Sequence, residues 1–177
     1  MERYAVKTTL YQAFALLIMI YVASVALIPE SVNVFHTVTT TRSAQGVLDR
    51  IDPIFFNPKS RFGEAFYVSE IPDTTLAELS HHGLTGVDTL RFAFNSKSAE
   101  ILDLSNPAVA KAWGYKGGEV TPFTQSLGSQ AKAAGFNVVR YSSERGFGSN
   151  LAILNDFNKL LEPKMVVPTP RVYSPSF

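Results

Sequence analysis

The chain contains no cysteine. That single absence excludes disulfides, thiolate metal sites and a cysteine nucleophile, and it leaves the redox compartment open. Histidine is scarce: His81 and His82 are adjacent and His36 stands alone. This is not the spacing of a zinc site, so no metal is expected. An excess of either charge is also missing, with 16 Lys and Arg against 15 Asp and Glu. Nucleic-acid binding usually carries a clear basic excess, so no nucleic-acid partner is expected. There is no Gly-rich dinucleotide fingerprint, no P-loop and no internal repeat, which leaves Rossmann-type binding without support.

What is present is apolar material, with 46% hydrophobic and 12% aromatic residues in 177. That suffices for one domain of ordinary size plus an extension. No residue between Lys7 and Glu30 is charged, and Leu10–Ile28 is almost wholly apolar. At 1.5 Å per residue, such a run of about 20 residues matches the roughly 30 Å hydrocarbon core of a bilayer. We read residues 1–30 as an apolar helix that spans or enters a membrane. A cleavable signal peptide ending near Ser24-Val25-Ala26 and a buried core helix are the competing readings. Arg3 and Lys7 before the run and Glu30 after it would keep the amino end of a lone spanning helix in the cytoplasm.

From Ser31 onward the texture is that of a folded domain, to about residue 167, followed by a Pro-rich tail over 168–177; Pro163, Pro168, Pro170 and Pro175 are expected to make the chain's end irregular. Val32–Val38 reads as a strand and Arg42–Asp49 as a short helix. Asp52-Pro53 and Asn57-Pro58 mark a loop before a buried strand at Ala65–Ser69. Asp73 is the expected N-cap of a helix over Thr74–His82, closed by Gly83. Strands follow at Thr89–Phe94 and Ala99–Leu104, then helices at Ala108–Trp113 and Thr124–Ala134, and strands at Phe136–Tyr141 and Leu151–Leu154. Short strands interspersed with short helices predict an α+β fold around a split β-sheet.

Three segments carry residues suited to chemistry. In Ser60-Arg61-Phe62-Gly63-Glu64-Ala65-Phe66-Tyr67, a glycine allows close backbone approach and Arg61 offers a rigid fork for phosphate oxygens. Taken alone, Tyr67 reads as core and Arg61 as surface. Glu78 sits mid-helix, where a carboxylate is ordinarily a solvated face residue, one turn from His81 and His82. In Arg140-Tyr141-Ser142-Ser143-Glu144-Arg145-Gly146-Phe147-Gly148 a strand runs into a loop with hydroxyls, a cation and glycines. Such a loop can hold an anion or a ribose, although most are plain turns.

Taken in order, these segments resemble the RES domain, named for arginine, glutamate and serine residues and found in toxins of bacterial toxin–antitoxin systems. The resemblance runs from Val34–Val38 through Arg61-Phe62-Gly63, Phe66-Tyr67-Val68-Ser69 and Thr74-Thr75-Leu76-Ala77-Glu78. It continues through Ile101-Leu102-Asp103-Leu104 and Thr124-Gln125-Ser126-Leu127 to Tyr141-Ser142-Ser143-Glu144-Arg145 and Asn150–Leu154. It covers about three quarters of the chain. It implies an ADP-ribosyltransferase-like fold that degrades NAD by hydrolysis or phosphorolysis, with Arg61, Tyr67, Glu78 and Ser143 catalytic and His36, Arg61, Gly63, Tyr67 and Arg145 binding the dinucleotide. Inorganic phosphate is the alternative nucleophile to water.

Phe35-His36-Thr37 with Glu64-Ala65-Phe66-Tyr67 also resembles the His and Tyr elements of diphtheria-toxin-like and poly-ADP-ribose polymerase-like transferases. That resemblance implies transfer of ADP-ribose to a macromolecule, with His36 on the adenosine ribose and Tyr67 on nicotinamide. The apolar segment ahead of the domain suggests a secreted toxin acting in the cytoplasm of a target bacterium, with a cognate immunity protein or antitoxin as partner. A non-enzymatic, membrane-anchored binding module is the alternative of another class, and calorimetry with NAD separates the two.

Overall fold

The computed structural model describes residues 31–168. The apolar segment Leu10–Ile28 and all of the tail after Pro168 lie outside the described residues. Among those residues, no helix is long and apolar enough to cross a membrane. The elements run β1 (Ser31–Val38), α1 (Thr41–Asp49), a 3-10 turn (Pro53–Phe55), β2 (Phe66–Ser69), α2 (Pro72–His81), β3 (Asp88–Asn95) and β4 (Ile101–Asp103). They continue with α3 (Pro107–Ala112), α4 (Pro122–Ala133), β5 (Val138–Ser142), β6 (Ser149–Ile153), α5 (Phe157–Leu160) and β7 (Leu161–Pro168). The expected α+β class is what the chain adopts.

All seven strands join one sheet in the order β4-β5-β6-β2-β1-β3-β7. Only β4 and β5 run parallel; every other neighbouring pair is antiparallel. The pairing is uneven. β1 matches β3 from Ser31↔Asn95 to Val38↔Asp88, whereas β1 meets β2 at the single register pair Phe35↔Ser69. The sheet therefore consists of two well-paired halves, β4-β5-β6-β2 and β1-β3-β7, that meet at a narrow seam.

Alternation along the strands explains the core. Phe66 and Val68 face one cluster while Tyr67 packs on the other, and Val138 and Val139 divide in the same way. A period of two is what places neighbouring strand residues on opposite faces. Ala44 of α1 and Leu160 of α5 close the first face; Val109 of α3 and Leu127 and Ala131 of α4 close the second.

Three local expectations need correction. The cap of α2 is Ile71, with no side-chain cap bond, and Asp73 lies in the first turn. Pro72 with its preset φ starts the helix two residues earlier, and the Asp73 carboxylate acts there on the helix dipole. Helix α4 likewise begins at Pro122, behind a reciprocal capping box between Thr121 and Thr124. The largest change is Pro163, which is not in an irregular tail but in β7, opposite Phe92 of β3. The register shifts between Arg91 and Phe92, and β7 is the last strand of the sheet. Proline is tolerated at such a bulged edge because, among the described residues, no further strand needs its missing N–H.

Candidate active site

The loop before β2 delivers the first arginine. Tyr67 stands on β2 and its hydroxyl reaches back to this loop, accepting from the Phe62 amide at 2.8 Å and donating to the Gly63 carbonyl at 3.1 Å. Burial raises the phenol's pKa to about 12, so it remains a donor throughout the neutral range. Gly63 has φ +71, a conformation that a side chain would strain, and the turn it makes carries the chain from Arg61 into the strand.

Arg61 is a buried residue, 7% exposed, and not the surface residue its type suggests. Its Nη1 donates to Gly118 O at 2.6 Å, to Tyr115 Oη at 3.3 Å and to Glu144 Oε1 at 3.2 Å, and its Nη2 donates to Glu144 Oε2 at 3.3 Å. The guanidinium also lies 5.5 Å from the centre of the Tyr141 ring. Burial opposes the charge, yet Tyr115 and Glu144 hold its pKa above the ordinary value. Glu144 in turn accepts from the Gly118 amide, so one fork–fork pair fastens three separate segments.

Glu78 forms the second knot. Its Oε2 accepts from Arg145 Nη1 at 3.0 Å, and its Oε1 from Asn150 Nδ2 at 3.1 Å and Ser143 Oγ at 3.5 Å. The carboxylate is thus a half-buried, bonded group, which corrects its reading as a solvated helix residue. Ser143 acts mainly on its own loop, its Oγ accepting from the amides of Arg145 at 3.2 Å and Gly146 at 3.1 Å. Thr74 of α2 donates to Phe147 O at 2.8 Å and holds the far end of the loop. Neighbouring residues Glu144 and Arg145 therefore grip opposite partners, Arg61 on one side and Glu78 on the other.

His36 lies at the seam of the sheet, where its Nδ1 meets Tyr67 O at 2.8 Å. A carbonyl only accepts, so Nδ1 carries the proton. Burial pushes the ring's pKa down, which keeps it neutral and leaves Nε2 as an acceptor. Its ring packs 4.5 Å from that of Phe66.

The structure brings most of the expected residues to one place. His36, Arg61, Tyr67, Glu78 and Arg145 all line a cavity of about 510 Å³. Ser143 reaches it through its contact with Glu78, and Gly63 through Tyr67. Sequence reasoning gave no role to Glu144, Tyr115, Gly118 or Asn150. Glu144 was detectable as a carboxylate beside Arg145 in a Gly-flanked loop, and Asn150 as a polar residue in an apolar strand. Nothing local pointed to Tyr115 or Gly118. Among the described residues, no three or more His, Asp or Glu side chains gather as metal ligands would.

No curated protein matches the chain. Among solved structures, the chain is similar to one described as the crystal structure of the M. tuberculosis MbcT–MbcA toxin–antitoxin complex, with a TM-score of 0.56 and 16% identity. The alignment covers 78% of this chain and 84% of that one. A likeness at that identity is one of fold. The family model described as the RES domain matches residues 56–172, from just before Arg61 to beyond β7. This chain belongs to the RES domain family.

Proposed function

We propose that this RES domain is a toxin that cleaves NAD⁺ at the bond between nicotinamide and ribose, on an ADP-ribosyltransferase-like split sheet. The observation that carries the reading is the cavity uniting Arg61, Tyr67, Glu78 and Arg145 beside the seam at His36. Family membership and the fold shared with a toxin support it.

NAD⁺ has a cationic nicotinamide. When its glycosidic bond breaks, the electron pair leaves with the ring nitrogen, and the ribose C1′ becomes electron-poor. A fixed carboxylate stabilises that carbon without reorganising at the moment of reaction. Glu78 is such a group, because Asn150 and Arg145 hold it in place. Water or inorganic phosphate then forms the new bond to C1′, and Glu78 orients it or takes its proton. Tyr67 supplies a ring at the cavity wall for the nicotinamide or its ribose. Arg61 already holds a carboxylate, so the diphosphate binds there by exchanging with Glu144, while Arg145 keeps Glu78 in place. Ser143 shapes the loop that presents Arg145. A protein that closes the cavity, an antitoxin or immunity protein, is the partner this chemistry requires in a cell that makes the toxin.

The test is to incubate the purified chain with NAD, with and without phosphate, and identify the products by mass spectrometry. Free nicotinamide with ADP-ribose is the expected outcome with water, and a phosphorylated ADP-ribose with phosphate. Transfer to a macromolecule would show as an added ADP-ribose mass on protein. Unchanged NAD beside folded protein refutes the proposal.

A further inference from the structure

Tyr141, near the end of β5, has no part in the chemistry described so far. It is 6% exposed, its ring lies edge-on to that of Phe62 at 5.0 Å, and the Arg61 guanidinium is 5.5 Å from its centre. Its cross-strand partner on β6 is Asn150, and residues paired in this way stand side by side on one face of a sheet. Asn150 is the residue that donates to Glu78. Tyr141 therefore lies beside both Arg61 and the anchor of Glu78, and it lines the cavity that unites them.

Its hydroxyl differs from the others in the site. Tyr67 donates to Gly63 O, Ser69 donates to Asn150 Oδ1, and Tyr115 accepts from Arg61. The Tyr141 hydroxyl makes no hydrogen bond to a described residue. Hydroxyls inside a protein are ordinarily satisfied, because an unmade bond there costs the desolvation of the group. Burial first, and then Tyr67 and Glu78, push the phenol's pKa up against the pull of Arg61, so it keeps its proton at neutral pH. The result is a neutral donor that is fixed at its ring and uncommitted at its oxygen.

We propose that the Tyr141 hydroxyl is the contact for the ribose hydroxyls at the reacting end of the substrate. The inference rests on the NAD reading above, and it adds the group that recognises the sugar itself. In NAD⁺ one ribose joins the carbon that loses nicotinamide to the diphosphate. With Glu78 facing that carbon and Arg61 taking the diphosphate, the sugar spans the distance from one to the other, and both of these charges act on the Tyr141 oxygen. The carboxylate accepts from one hydroxyl of the diol and Tyr141 donates to the other, so a vicinal diol matches the pair and a deoxy sugar does not. A ribose fixed in this way keeps C1′ aligned with Glu78 as the nicotinamide leaves.

The test compares the full chain with Tyr141→Phe, which removes one oxygen and keeps the ring against Phe62 and Arg61. ADP-ribose and ADP, which differ by the terminal ribose, are titrated by calorimetry, and NAD turnover is followed alongside. The variant should melt no lower than wild type, since the lost hydroxyl has no partner among the described residues. It should bind ADP-ribose about tenfold more weakly, the scale of one lost hydrogen bond, bind ADP as before, and lower kcat/KM for NAD by about as much or more. A clearly lowered melting point, an unchanged ADP-ribose affinity, an equal loss on ADP, or no binding of ADP-ribose by wild type overturns the contact. A chain that leaves NAD intact but prefers ADP-ribose to ADP through Tyr141 keeps the contact and loses the NAD-cleaving function; NAD cleavage untouched by Tyr141→Phe does the reverse.

Discussion

Replacing Glu78 by alanine measures the most consequential contact in the molecule. If Glu78 were an ordinary exposed helix residue, the change would stay within about 0.5 kcal/mol. The structure demands more. The carboxylate is 29% exposed and its partner Arg145 20% exposed. A bond to a charged group contributes about 1.5–3 kcal/mol when well shielded, and partial exposure to water reduces this to about 1. Asn150, buried at 3% exposure, would also keep Nδ2 without its acceptor, which costs about 1–3 kcal/mol. The total is about 2–4 kcal/mol, seen as a midpoint lowered by about 5–15 °C in a domain of this size. Urea denaturation of wild type, Glu78→Ala and Glu78→Gln measures it. The glutamine variant keeps an oxygen for Asn150 and should lose only about half as much. Both variants should lower NAD turnover by about 10²-fold or more. Asp73→Ala, exposed on the first turn of the same helix, is the control and should stay within about 1 kcal/mol. A Glu78→Ala protein as stable as wild type would mean that the network to Arg145 and Asn150 does not exist in solution.

Other expectations are independent of this one. Arg61→Ala should destabilise by about 2–4 kcal/mol, because it leaves Glu144 facing a buried vacancy, the loss being moderated by the 33% exposure of that carboxylate; urea curves within 0.5 kcal/mol of wild type would remove Arg61 from the scaffold. Two helical glycines should respond with opposite signs to alanine. A Cβ on Gly128 would lie 1.9 Å from the Phe62 carbonyl oxygen, so Gly128→Ala must push α4 off the Arg61 loop at about 1–3 kcal/mol or more. Gly46 has nothing within 4 Å, and Gly46→Ala should stabilise α1 by about 0.5–1 kcal/mol; calorimetric midpoints decide both. For His36, the folded pKa lies below the ordinary 6.5, so its contribution to stability is complete above pH 6.5 and is lost as pH falls from there towards the lower folded value. His36→Gln should flatten that part of the stability–pH curve, and parallel curves for the two proteins between pH 7.5 and 5.5 would show that the ring is not protected.

Much of the local structure was legible because local forces set it. Strand alternation at Val138–Ser142 and Ser149–Ile153, the Asn106-Pro107 start of α3 and the stop after α2 at Gly83 follow from side-chain period, capping and backbone preference within a few residues. So did the family, since its ordered residues are read along the chain. Edges and starts were less legible. Pro163 argues against a strand by its chemistry, and only its place at the bulged margin of the sheet makes β7 possible.

The site divides the same way. Residue types made Arg61, Tyr67, Glu78 and the loop with Ser143 and Arg145 candidates only, and the ordered resemblance to the RES domain is what joined them into a site. Their contacts were not legible. The burial of Arg61, its capture by Glu144, and the conversion of Glu78 from a solvated residue to a clamped one depend on segments more than sixty residues apart coming together. Long-range pairing is decided by which faces the whole sheet must bury, and no window of the sequence contains that information. The sequence by itself determined the elements and the cast of polar residues; the tertiary structure alone decided which charges meet, since partners are chosen by proximity in the folded sheet and not by order in the chain.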